Sequence, residues 1–291
     1  MPGAEVVVAG VRLGEGPVWR PATRDLVCTS VSDGLVWRID TDSGDKEVFA
    51  DTGGGPNGAA LCQDGGLIVT QNGGIDYSKF PGGIFPQDLV VRHATPGLQR
   101  VEPGGTVRYL VQNGFGAPND LAVGDSDTLY FTDPGHFPPK DPPTGRVECL
   151  RPDGSVTTVS DHLWYCNGIA LDRNGCLIII ERRGLCRIDE HGQRTWIVET
   201  LGRGGGDGFC LDAEGRFYVA ATVDHGVRVV EPDGRIVDFL SIPGDGVTTN
   251  CCFGGPDLRT LFATDAVPGH VVAWEDMPTP GLPLPAWQAR V

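Results

Sequence analysis

Apolar positions along this chain fall into short runs closed by Gly, Asp and Asn, and nowhere do they keep the spacing of a helical face for long. The pattern is clearest in CNGIALDRNGCLIIIE (166–181): a polar residue, a small residue, an apolar strand, a Gly-containing turn and a second apolar strand. The same order recurs in PNGAALCQDGGLIVTQ (56–71), PNDLAVGDSDTLYFTD (118–133), GDGFCLDAEGRFYVAA (206–221) and TNCCFGGPDLRTLFAT (249–264), with GEGPVWRPATRDLVCTS (14–30) as a divergent sixth copy. Aligned, the copies put Glu15, Asn57, Asn119, Asn167, Asp207 and Asn250 in one polar column just ahead of the first strand of each unit. Six copies at a period of about 45 residues predict one closed array, a single domain over 1–291, rather than the two domains that length alone would suggest.

Each copy is followed by further strand-like segments. The third-strand positions read GLVWRID (34–40), GLQRVEP (97–103), GRVECLRP (145–152), GLCRIDE (184–190), GVRVVEP (226–232) and HVVAWED (270–276), and most lead through a Gly-containing turn into a fourth apolar segment. Four antiparallel strands in each of six units predict an all-β, six-bladed propeller. The sixth unit lacks a fourth strand, because after Trp274 the chain enters the Pro-rich MPTPGLPLPAW (277–287); the N-terminal AEVVVAGV (4–11) is expected to supply it and close the ring. In such a blade the segment leading into the first strand and the loop between second and third strands lie on the same face. The long loops 72–97 and 133–145 are of that second kind, so both are expected on the face that carries the polar column, where binding loops collect.

Six residues at the starts of the innermost strands converge on a central channel, bringing two carboxylates and four amides together, and all of them offer oxygen. Such a set suits a hard divalent cation, Ca²⁺ above all, whereas Zn²⁺ would recruit His or Cys. Asn and Asp ahead of a strand also serve as turn formers; for Glu15, followed by Gly16 and Pro17, that explanation is weakest. A formal net charge of −15 argues against a nucleic-acid partner, which needs clustered Lys and Arg. The nine cysteines are scattered without a CxxC pair and read as reduced core thiols. The N-terminus lacks a basic start followed by an apolar run, and no segment is long enough to cross a bilayer, so no membrane association and a cytoplasmic location are expected.

GEGPVW (14–19), PNDLAV with LYFTDP (118–134), CNGIALD (166–172), GDGFCLD (206–212) and TNCCFGG (249–255), in this order, resemble the SMP-30/gluconolactonase/regucalcin family of six-bladed propellers, which includes diisopropylfluorophosphatase-like phosphotriesterases. The resemblance implies one divalent cation, generally Ca²⁺, at Glu15, Asn119, Asn167 and Asp207. It also implies hydrolysis of a small-molecule sugar lactone, with Asp207 taking the proton of the attacking water. A phosphotriester or ester hydrolase using the same ion, and a non-catalytic calcium-binding propeller, are the alternatives. The PNDL form is closer to the bacterial gluconolactonase branch, since the regucalcin branch has an Arg where this chain has Ala117. Asn57 and Asn250 are candidates for substrate contacts. So are His136 and Phe137 from loop 133–145, and Tyr77 and Phe85, which with Phe80 form an aromatic cluster in loop 72–97 suited equally to a lid or to anchoring its own loop. Cys166 adjoins Asn167 but has no His at a matching position to activate it, which argues against a cysteine nucleophile.

Overall fold

The second strand of the 166–181 unit, Leu177–Glu181, is buried at every position because both of its faces are covered. In the computed structural model, which describes residues 3–79, 83–136 and 138–288, Leu177 and Ile179 pack toward the preceding sheet while Ile178 and Ile180 pack toward the next. Side chains alternate faces along a strand, so an apolar run that looks undivided is shared between two layers.

Six four-stranded antiparallel sheets are built this way, which makes the chain an all-β, six-bladed propeller, as the repeats predict. Five blades take four consecutive strands each and span 14–51, 56–112, 121–163, 166–198 and 209–241. Blade six takes Val247–Gly254, Thr260–Val267 and His270–Trp274, and its outer strand is the N-terminal Glu5–Ala9, with Glu5 opposite Ala273 and Ala9 opposite His270. The expected closure by the N-terminus is borne out. Among the described residues the helical turns are two short 3-10 segments, Tyr77–Lys79 and Asp125–Asp127.

The core is correspondingly a ring of inter-blade layers. Val18, Val27 and Val36 of blade one meet Leu67, Val69 and Val101 of blade two; Phe209, Phe217 and Val219 of blade five meet Ile178, Ile180 and Leu185 of blade four. The ring shuts where Val8 and Val11 from the N-terminus, with Phe262 and Val271 of blade six, pack on Trp19, Leu26 and Ile39 of blade one. All nine cysteines are unpaired and eight are buried, as core thiols should be.

Two segments cross the ends of the channel. Above, loop 72–97 leans back from blade two over blade one to blade six: Phe85, with Tyr77, Ile84 and Leu89, packs on Leu13, Val31, Val247 and Ala266. Arg92 fastens it, donating from Nη1 to the Asp33 carbonyl at 2.8 Å and from Nη2 to Asp51 at 2.9 Å. Below, the Pro-rich tail does not merely trail off. Leu282 donates its N–H to the Leu211 carbonyl at 2.9 Å, Trp287 donates to the Leu61 carbonyl at 2.9 Å, and the Trp287 indole donates to the Asp127 carbonyl at 3.2 Å. The tail is thus a strap from blade five to blades two and three.

Removing residues 1–11 would strip blade six of its outer strand and take away two buried valines, each worth about 1.5–3 kcal/mol. The truncated chain is expected to unfold on the order of 10 °C lower than the parent in a thermal melt, or to aggregate through the bared edge of His270–Trp274.

Candidate metal centre and active site

The polar column is aimed by a defect repeated in the inner strands. Pairing register breaks between Glu15 and Val18, Pro56 and Ala59, Cys166 and Ile169, and Thr248 and Asn250. A bulge of this kind bends the strand and re-aims a side chain, here into the channel. Glu15, Asn57, Asn167 and Asn250 therefore lie inside their first strands rather than ahead of them, whereas Asn119 and Asp207 precede strands that begin at Leu121 and Phe209.

Neighbouring blades hold this backbone in place. Threonines donate across to the carbonyls of the next blade: from second strands, Thr29 Oγ1 to Asn57 at 2.5 Å, Thr132 Oγ1 to Asn167 at 2.7 Å and Thr70 Oγ1 to Asn119, and from the first strand of blade six, Thr249 Oγ1 to Gly14 at 2.6 Å. Approach is so close that a Cβ on Gly168 would stand 2.4 Å from the Asp207 carbonyl oxygen. Carboxylates ending the second strands tie down the loops that lead into the column. Asp133 Oδ1 accepts from the Ala117 N–H at 2.8 Å, Glu181 Oε1 from the Trp164 N–H at 2.9 Å, and Asp265 Oδ1 from the Val247 N–H at 3.3 Å.

Three carboxylates meet in the channel. Burial, then the charges of Asp207 and Asp120, push the Glu15 carboxyl well above its ordinary value. Burial and Asp120 do the same to Asp207, and burial lifts Asp120 to about 7. Asp120 was not foreseen. Its signal was present: the residue after the column is Gly in four copies, EG, NG, NG and DG, but Asp in PND. Asn250 stands between two of these acids, donating from Nδ2 to Glu15 Oε2 at 3.0 Å and to Asp120 Oδ1 at 3.0 Å, while its own Oδ1 accepts from the Cys251 N–H at 2.9 Å.

The remaining column oxygens are unsatisfied. Oδ1 of Asn57, Asn119, Asn167 and Asp207 is in each case buried without a hydrogen-bond donor. A buried acceptor normally finds a partner, and four such oxygens carried by one column, beside carboxylates that repel one another, are the donor set a hard cation takes. The residues present therefore fit a calcium-like ion. Among the described residues no group of three or more His, Cys, Asp or Glu is placed to hold a metal, so the fit depends on amide oxygens as well as on Glu15 and Asp207.

Around this centre, Tyr77 and Tyr165 have hydroxyls raised above their ordinary value, chiefly by burial and then in part by the nearby charges of Glu15 and Asp207 and, for Tyr165, by Tyr77. The Tyr77 ring packs on Phe85 with centroids 5.3 Å apart. His136 is exposed. Phe80 and Phe137 lie outside the described residues.

A family described as SMP-30/Gluconolactonase/LRE-like region matches residues 13–267. The chain belongs to this family. The SMP-30/gluconolactonase relatives include regucalcin of Xenopus laevis, 39% identical over 288 residues and covering 93% of this chain and 88% of the relative. Pentonolactonase XacC of Haloferax volcanii is 26% identical over 272 residues, 90% of this chain and 84% of that one. Among solved structures, a calcium-binding protein, regucalcin, from Agrobacterium tumefaciens strain C58 aligns with a TM-score of 0.78 over 99% of this chain and 97% of the other; at 19% identity this is a likeness of fold. Identity to the frog regucalcin exceeds that to the pentonolactonase, despite Ala117. No helix among the described residues is long and apolar enough to cross a membrane.

Two outcomes follow from this geometry. Carboxyls raised in the folded state bind protons that the unfolded chain has already released, so their contribution to stability is present at low pH and lost as pH rises through the folded value. In chelator, the melting temperature is expected to fall as pH rises from about 5 through the Asp120 value of about 7, and added Ca²⁺ should flatten that slope. Thr132→Val removes the donor to the Asn167 carbonyl, and is expected to cost about 1–3 kcal/mol in a denaturant titration.

Proposed function

We propose that this protein hydrolyses the ring ester of a sugar lactone, with one Ca²⁺ held by Glu15, Asn119, Asn167 and Asp207 and the whole chain working as one propeller domain. The observation that carries this reading is the set of donorless buried oxygens on Asn119, Asn167 and Asp207 beside the Glu15 carboxylate. Membership of a family with lactonase members supports the reaction class, and the calcium-binding description of a fold relative supports the ion.

Bound there, a Ca²⁺ would supply Lewis-acid polarisation of the lactone carbonyl and offset charge on the tetrahedral oxyanion. Glu15 and Asp207 bring the negative charge that retains it. Asp207 is also the base: the Gly-rich approach GRGGGDGF (202–209) brings its backbone to the channel without side-chain obstruction, so that with Oδ1 on the ion, Oδ2, approached by Thr222 Oγ1 at 3.5 Å, faces the attacking water. Asn250 holds Glu15 and Asp120 in register, acting through them rather than on the substrate. Tyr77 and Phe85 of the crossing loop form the wall that keeps bulk water from the carbonyl, and Asn57 faces the sugar hydroxyls.

Asp207→Asn keeps an oxygen and the side-chain volume but removes the base. It is expected to retain Ca²⁺ and to lose turnover by roughly 10²–10⁴-fold, read as kcat with metal content measured on the same sample, over a panel of aldonolactones, simple γ- and δ-lactones, aryl esters and a phosphotriester with and without chelator. Full turnover at full occupancy would place the base elsewhere. Tight Ca²⁺ binding with no lactone opened would favour the calcium-binding propeller, and turnover of the phosphotriester alone the other hydrolase.

A further inference from the structure

We propose that the upper-face pocket of blade four is a subsite for an anionic group, a phosphate or a carboxylate, carried by the lactone, with Arg182 and Arg183 as its cations. This deepens the lactonase reading and rests on it for the identity of the substrate, but not for the existence of the site.

The pocket has a volume of about 690 Å³ and is lined by Trp164, Tyr165, Arg182, Arg183, Trp196 and Glu199 among others. A second cavity of about 390 Å³ continues it past Trp164, Arg182 and Trp196. Together they are of the size that small ligands occupy. Three arginines border them. Arg194 is already neutralised, since its Nη1 donates to Glu181 Oε1 at 2.6 Å. Arg182 and Arg183 are exposed, and neither forms an ion pair with a carboxylate of the described residues. Glu199 is the sole acid among the residues lining the larger cavity, so the balance there is positive on a chain whose net charge is −15. An acidic protein repels anions nearly everywhere, which makes an isolated positive pocket selective for where an anion settles.

The ordinary explanation of two surface arginines is a solvated face. Arg182 is held too firmly for that. Its guanidinium lies over the Trp164 ring at 5.0 Å from the centroid, its backbone N–H donates to the Trp164 carbonyl at 3.1 Å, and its φ is +57°, a conformation that L side chains rarely adopt. Stacking on an aromatic face fixes the plane of the guanidinium and leaves its edge donors outward, the geometry that meets carboxylate or phosphate two oxygens at a time. It also occupies one face of Trp164, which argues for an anion over a stacked aromatic ligand. Arg183 is placed by its carbonyl, which accepts the Leu201 N–H at 2.6 Å.

The pocket adjoins the channel through the chain itself. Tyr165 lines it and stands two residues before Asn167; Gly204 lines it and stands three before Asp207. At 3.8 Å between successive Cα atoms, these walls lie within about 8 and 11 Å of the two column residues. A lactone whose carbonyl sits over the column can therefore lay a charged substituent in the pocket.

The test uses the intact, Ca²⁺-loaded protein. Quenching of tryptophan fluorescence is followed at fixed ionic strength during titration with inorganic phosphate, glucose 6-phosphate, glucuronate and, as the neutral control, glucose. In parallel, kcat/KM is compared for δ-gluconolactone and its 6-phosphate. The phosphates or glucuronate should saturate the signal and glucose should not, with the preferred anion telling phosphate from carboxylate. Arg182→Gln with Arg183→Gln should weaken anion binding, and lower the ratio of kcat/KM for phosphorylated over neutral lactone, each by about tenfold or more, with an unchanged far-ultraviolet spectrum; Glu199→Gln should strengthen binding. Anion binding lost in the double variant while no lactone is opened by the parent would leave the subsite standing and overturn the lactonase reading. Hydrolysis of the neutral lactone with no saturable anion signal, or an unchanged substrate ratio in the double variant, would overturn the subsite.

Discussion

Glu15, Asp120 and Asp207 are brought into one buried channel, and like charges in a medium less polar than water raise one another's proton affinity. A single side chain amide, that of Asn250, reaches two of them, and it cannot cancel charge. Left to themselves these acids would separate, and the architecture prevents it. Each lies on the innermost part of a different blade, so relaxing one means moving a whole sheet against the packed layers on both of its sides. The threonine bonds from blade to blade and the close approach at Gly168 fix the same backbone directly. The site is an assembly of repulsive groups held together by the closure of a ring.

That ring is restrained differently at its two ends. Below, tight turns and the tail from Leu282 to Trp287 join blades five and two by main-chain bonds and blade three through the Trp287 indole, so blades that are not neighbours keep their spacing. Above, the crossing loop 72–97 is held by the apolar contacts of Phe85 with blades one and six and by Arg92 on blade one. Apolar contacts are less directional than a ladder of backbone bonds. The upper end is therefore the less rigidly tied of the two, while the acids keep their geometry from below.

How much of this could be read from the sequence depended on whether a feature repeats. The blades, the column and the closing N-terminal strand were legible because each follows from a pattern present several times, so that one ambiguous copy is corrected by the others. Asp120 was missed for the opposite reason: it is the one charged residue in a slot that holds Gly in four copies and Cys251 in another, and a departure carries no periodicity. The crossing of loop 72–97 could not be read either, since the surface that receives Phe85 is assembled from Leu13, Val31, Val247 and Ala266, each of which looks like an ordinary strand end in its own unit. The tail reads as the end of a blade because its Pro residues exclude a strand, yet Trp287 pairs with Cys62 across the molecule. Asn250 shows the limit within the column itself. Six aligned polar residues look equivalent, but the bond from the Cys251 N–H turns this amide so that it gives hydrogens to the acids instead of oxygen to the channel.

The same electrostatic constraint explains why the column is mostly amide. A divalent cation offsets two negative charges, and Glu15, Asp120 and Asp207 already provide three between them when ionised. A carboxylate in place of Asn119 or Asn167 would add charge that neither such an ion, if bound, nor Asn250 could balance, and burial would answer by protonating one of the acids. An amide supplies an oxygen of similar reach at no cost in charge, so a larger number of oxygens can be gathered without deepening the repulsion. Asp120, which stands where four other copies have glycine, is met by a donor from Asn250, and that bond offsets part of the cost of its burial. The two departures from the repeat, the aspartate in blade three and the turned amide in blade six, are a single adjustment made from opposite sides of the channel.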